Sequence, residues 1–251
     1  MEIYGYRIPK AASLLLWAGL WEIVGQAHLT ILIPPLSRVL VRLVEIVPTW
    51  SFLAALGITA RAYLAGVAIA ILLGVPLGLA MGRSLLVDRL VLPWVSLFVS
   101  APLTALVPVI MALFGFGETT IVLTVVLFAI WIVVLDTRAG VRHIAPSLIE
   151  MARSYGASRW ALFGKVIVLA ALPEILAGIR LGLIRGVKGV VIGQLLVSIV
   201  GYGALFETYS RNFRMTQFWA LTIILFAFAM VLAALIEWAE DRVDYYAGAR
   251  E

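Results

Sequence analysis

"SLIEMARSYGASRWALFGKV", residues 147–166, sets Glu150, Arg153, Arg159 and Lys165 between two long apolar stretches. Working outward from it, the chain is 251 residues long, 63% hydrophobic and only 13% charged. A soluble domain carries about 25% charged residues, so this composition belongs to the membrane class. The charged interlude is then a segment outside the lipid, between helices inside it.

A helix needs about 20 apolar residues to cross the hydrocarbon core. Six segments qualify: 9–28, 57–82, 91–113, 119–136, 174–200 and 216–238. The expected fold is an all-α membrane protein of about six transmembrane helices, with a helix-turn-helix between the fourth and fifth. The first is the weakest, because Glu22, Gln26 and His28 crowd its far end. It resembles a signal peptide, but Trp21 and Glu22 sit where a small-x-small cleavage site would be, so a retained helix is the better reading. The second, with "GVAIAILLGVPLGLAMG", is rich in small residues that let helices approach closely in lipid. No repeat or low-complexity linker divides the chain, so one membrane domain over 1–251 is expected.

Six spans put both termini on one side. With that side cytoplasmic, the inner segments hold Arg7, Lys10, Arg83, Arg89, Arg138, Arg142, Arg153, Arg159, Lys165, Arg242 and Arg250, and the outer loops Arg38, Arg42, Arg211 and Arg214. The positive-inside rule favours that orientation, in the cytoplasmic membrane with cytoplasmic termini. The net charge of +5 is therefore read as loop charge, not as a nucleic-acid surface. In the first outer loop Ser37 is placed as an N-cap, and Val39, Leu40, Leu43, Val44 and Val47 follow at helical spacing until Pro48. A short helix lying along the outer surface is expected.

The interlude carries helix punctuation of its own. Ser147 with Glu150 three residues later is a capping-box pattern, and Gly156 can end the helix in the left-handed conformation. Leu148, Ala152 and Tyr155 share one face; a second helix is expected near Ser158, carrying Trp160, Leu162 and Phe163. A helix this short is marginal alone and needs a surface to pack against, its own bundle or a separate protein.

"EMARSYG", residues 150–156, followed by Leu172-Pro173, resembles the cytoplasmic EAA loop of binding-protein-dependent ABC importer permeases. "GVPLGL" from Gly74, "APLTALVP" from Ala101, "FGFGE" from Phe114 and "VGYG" from Val200 resemble successive landmarks of the nitrate, sulfonate and taurine branch. The sequence departs from that pattern at Met151, at Val166 and Leu169, and at Gln194. The resemblance implies a coupling loop over about 137–173, with Glu150, Ala152, Arg153, Tyr155 and Gly156 engaging a separate ATP-binding subunit. It also implies a second permease copy (a homodimer), an extracytoplasmic substrate-binding protein, and ATP with Mg on the partner only. Consistently, no G-x-x-x-x-G-K-[ST] phosphate loop is present, so the chain is not expected to be an enzyme or to bind a cofactor. His28 and His143 lie far apart without metal-ligand spacing, and the serine-hydrolase elbow is absent.

Arg185 and Lys188 fall inside the fifth span, three residues apart and on one helix face. Intramembrane cations face the bundle or a watery path, so this pair, with Gln194, is the candidate translocation site for a small anion. Three rivals stand beside it: snorkelling of Arg185, pairing with Asp136, Glu118 or Glu207, and a helix–helix hydrogen bond for Gln194. Two other functions remain open to the sequence: a secondary transporter, which needs its own ion-coupling site, and a non-transport membrane scaffold.

Overall fold

The computed structural model describes residues 2–3, 6–7, 10–197 and 199–248, with side chains from Ala12 to Leu235 (Ser198 apart) and at Trp238. Arg250, counted above for orientation, lies outside the described residues, as does the side chain of Arg242. Helices α1 (Lys10–Gln26), α2 (Leu36–Ile46), α3 (Trp50–Arg83) and α4 (Leu85–Ser100) are followed by a 3₁₀ turn (Leu103–Leu106) and α5 (Val107–Phe114). Then come α6 (Glu118–Arg142), α7 (Pro146–Ser154), α8 (Arg159–Ala161), a π-helical turn (Leu162–Ile167), α9 (Val168–Ala170), α10 (Leu172–Val197), α11 (Gly201–Arg211) and α12 (Met215–Gly248). The described strands are the two-residue pair Glu2–Ile3 and Tyr6–Arg7.

By length and apolarity three described helices can cross a membrane, α3, α6 and α12, or five if each of two bent pairs forms one span. The expected first span forms as α1, but its 17 residues reach only about 25 Å of a hydrocarbon core about 30 Å thick. The expected third span starts earlier, at Leu85, and, as Pro102 and Pro108 within it lead one to expect, it breaks, here after Ser100, so that α4 and Leu103–Phe114 meet at 100°. Pro102 follows extended Ala101, because the residue before proline is steered out of the helical region. Pro108 lies in the first turn of α5, where its missing N–H costs nothing.

Helices α3, α6 and α10 form the centre. Gly66, Gly74, Gly78 and Gly82 of α3 lie against Val125, Val133, Thr137 and Val141 of α6 in constant register, so the two run parallel. Gly178, Gly182, Gly189 and Gly193 of α10 face Asp136, Val133, Val125 and Ile121 in descending order, so α10 runs antiparallel to α6. Lipid tails are as apolar as leucine, so close packing rather than water exclusion holds such helices together. A glycine every fourth residue supplies the groove, and the stiff β-branched side chains of α6 fill it.

A second cluster caps the end opposite the charged interlude. Val39 and Ile46 of α2, Phe52 of α3, Tyr202 and Phe206 of α11, and Ala220, Leu221 and Leu225 of α12 pack together there. The expected surface helix is α2, but Ser37 does not cap it. Pro35 takes the cap position, and Ser37 gives its backbone N–H (2.9 Å) and hydroxyl (2.8 Å) to the Glu22 carboxylate, tying α2 to α1.

Candidate functional site: the coupling foot and the intramembrane cations

The interlude folds as two short helical pieces joined by a tight turn. Its first helix starts at Pro146, with Ala145 in the cap position and no side-chain cap. The expected Ser147–Glu150 capping box therefore does not form. Proline at the first helical position has φ preset and no N–H to satisfy, so it fixes the start one residue before the serine. The end is as expected. Gly156 has φ +74°, its N–H donates to Arg153 O (2.9 Å), and the Ala157 N–H donates to Ala152 O (3.0 Å). These paired bonds close a Schellman motif. Ser158 then caps the second piece, its hydroxyl accepting from the Ala161 N–H at 3.2 Å. That piece runs through the π turn to Ala170 and meets α10 at 58°.

Ala152 is buried, and Leu148 and Ile149 are half-buried beside it. Tyr155 does not join that face: as the C-cap residue beyond the last helical turn it is 87% exposed. Trp160 is 84% exposed and Met151 and Glu150 are exposed too, while Arg153, also exposed, lies along a cavity. The foot thus anchors small and aliphatic residues inward and presents large aromatic ones outward, beyond the ends of α3 and α6. Between the foot and those ends lies a cavity of about 660 Å³, with Arg83, Arg153 and Arg159 among its lining residues. The Arg83 guanidinium stands 5.0 Å from the Phe163 ring centre. Beside it, Asp88 of α4 accepts from Arg138 on both carboxylate oxygens and from Arg142 (2.8 Å). The sequence reading missed this cluster.

The intramembrane residues separate into two groups. Gln194 is fully buried: its amide donates to Thr59 Oγ1 on α3 (2.9 Å) and accepts from the Gly203 N–H (3.0 Å). That is the helix–helix bond among the alternatives. Arg185 is half-buried. Glu118 is bound by Arg61 and Glu207 by Arg211. Lys188 stands on the outward face of α10, exposed, and its side chain bonds no other described residue.

Residues 66–245 match the family described as "Binding-protein-dependent transport system inner membrane component". The chain is 31% identical to the taurine transport system permease protein TauC of Escherichia coli (strain K12) over 226 residues, covering 86% of this chain and 80% of that one. It is 33% identical to the putative aliphatic sulfonates transport permease protein SsuC of the same organism over 146 residues, 58% of this chain and 55% of that one. Among solved structures, it resembles a chain of the MetNI methionine ABC transporter in inward-facing form, with TM-score 0.57 and 22% identity over 77% of this chain and 92% of that one. It also resembles a chain of an amino acid ABC transporter, with TM-score 0.62 and 21% identity over 80% and 97%. These likenesses agree with the helical architecture, and the chain belongs to the family of binding-protein-dependent inner membrane components: it is a non-catalytic, multi-pass permease of an ABC importer, whose ATP is hydrolysed on a separate polypeptide.

Proposed function

We propose that this permease works as a homodimer that moves a small organic sulfonate, of the taurine or alkanesulfonate kind, into the cytoplasm by alternating access. Both termini then face the cytoplasm, one membrane domain spans 1–251, and an extracytoplasmic binding protein delivers the substrate. The names of the similar permeases supply the sulfonate class. Lys188, exposed on the face of a span and without a carboxylate partner among the described residues, supplies the charge that would meet the sulfonate group. Arg185, three residues earlier on the same helix, would act with it.

The observation that carries the coupling half of the reading is the outward display of Tyr155 beside the Gly156 turn, on a helix seated by Ala152. A groove on the ATPase would receive that aromatic side chain, with Glu150 and Arg153 flanking it. When ATP draws the ATPases together, the foot moves and the tightly packed α3–α6–α10 unit follows as one body. Rigid bodies rocking between two packings are the usual form of such transitions. The bends at Ala101–Pro102 and at Ala171 are the places where the chain can yield.

Uptake of labelled taurine by the reconstituted assembly tests both halves. Lys188→Leu should raise KM or abolish uptake while leaving assembly intact. Tyr155→Ala should leave the permease folded but reduce ATPase stimulation and uptake together. Unchanged uptake kinetics for Lys188→Leu would remove the anion site, and normal coupling in Tyr155→Ala would remove the docking role.

A further inference from the structure

We propose that the arginine-lined cavity above the foot is a binding site for the phosphate of an anionic membrane lipid. Arg83 at the end of α3, Arg153 at the end of α7 and Arg159 at the start of α8 come from three separate elements and line one cavity of about 660 Å³. None of the three bonds a carboxylate among the described residues, although Asp88, a few residues from Arg83 in the chain, is fully engaged by Arg138 and Arg142. Three like charges facing one space repel one another, and an anion there relieves all three at once. Arginine forks match phosphate oxygens in planar, bidentate fashion and keep their charge throughout.

The rest of the lining selects the source of the phosphate. Ile144, Ile149 and Leu162 make an apolar wall behind the guanidinium groups. A free phosphate gains nothing from aliphatic side chains; a lipid places its glycerol and first acyl carbons there. The cavity lies at the ends of α3 and α6, two helices long and apolar enough to cross a membrane, which on the permease reading is where lipid headgroups lie. Surface cations near a bilayer attract anionic lipid with about 1 kcal/mol each, and here three converge. Because α7 and α8 contribute one cation each, a bound lipid would tie the foot to the ends of the membrane helices.

The test uses the assembled transporter in nanodiscs of phosphatidylcholine with a minor fraction of phosphatidylglycerol. Native mass spectrometry counts the lipids retained. The full assembly should hold phosphatidylglycerol over phosphatidylcholine, and Arg83→Gln with Arg159→Gln should weaken that retention at least about tenfold. Arg83→Lys, which keeps the charge, should retain most of it and serves as the folding control. Binding in a nanodisc reads the cavity whichever leaflet it faces, so it stands apart from the proposed topology. Inorganic phosphate, titrated against the same variants in phosphatidylcholine alone, distinguishes the two sources. Arginine-dependent phosphate binding without preference for phosphatidylglycerol would keep the phosphate site and move its ligand to the free ion. Equal lipid retention by wild type and the double variant, with no phosphate binding, would overturn the proposal. So would a cross-link showing an acidic ATPase side chain filling the cavity in the lipid's place.

Discussion

Gln194 on α10 donates its amide N–H to Thr59 Oγ1 on α3 at 2.9 Å, and neither side chain reaches the surface. The other end of the same amide accepts from the Gly203 N–H. Gly201, at φ +62°, packs so closely that a Cβ there would lie 2.8 Å from the Gln194 amide. One side chain therefore fixes where α10 ends, where α11 begins, and how both meet α3. Gln194→Leu should lower the unfolding temperature, because it leaves the Gly203 N–H buried without an acceptor at a cost of about 1–3 kcal/mol. The surviving fraction should transport with unchanged KM. A changed KM at an unchanged unfolding temperature would instead place Gln194 on the substrate path.

The α3–α6 contact leaves no room for a side chain at its glycines. A Cβ on Gly78 would stand 2.6 Å from Thr137 Cβ and 2.7 Å from the Val134 carbonyl oxygen. A backbone carbonyl in a helix cannot swing aside. Gly78→Val should therefore abolish accumulation of the folded permease, as read by detergent gel filtration. Gly19→Val in α1, where nothing lies within 4 Å, should accumulate normally. Equal accumulation of the two variants would contradict the parallel packing described here.

Local chemistry was legible in the sequence, and tertiary convergence was not. Gly156 and Ser158 carry their conformations in their own residue types, so both the turn and the second helix were readable. The capping box failed because Pro146, one residue earlier, offers a better helix start than Ser147. Helical spacing puts Tyr155 on one face with Leu148 and Ala152, but the helix stops at Ser154 and the spacing no longer applies. The extended Ala101 before Pro102 accounts for a break there, but no local residue type sets its 100° angle. Asp88 gave no signal, since its partners Arg138 and Arg142 lie about fifty residues away along the chain.

That Asp88 cluster makes its own prediction. The carboxylate is 7% exposed and takes bonds from two guanidinium groups, clamping the first turn of α4 to the end of α6. Removing one partner of a buried pair leaves an uncompensated charge, at about 3–5 kcal/mol; the partial exposure of Arg142 reduces that here. Asp88→Asn should cut thermal stability sharply. The Asp88→Asn, Arg138→Gln double variant should lose less than the sum of the two single variants. Strict additivity in that cycle would mean that the clamp carries no coupling energy.

Gly156 separates backbone strain from bulk. Its φ of +74° disfavours side chains with a Cβ, yet a Cβ there would meet nothing within 4 Å of the chain itself. Asparagine tolerates the left-handed region, whereas a β-branched residue pays about 1–2 kcal/mol or more for it. Gly156→Asn should keep the Schellman turn and therefore the foot. Gly156→Val should loosen the turn and lower coupling of ATPase turnover to uptake, with the permease still folded. Gly156→Trp adds bulk on the side proposed to face the ATPase, and should release the ATPase during purification. If valine and tryptophan both matched wild type in assembly and in uptake per ATP hydrolysed, the turn would be mere surface, and α7 would have to lose its proposed role in force transmission.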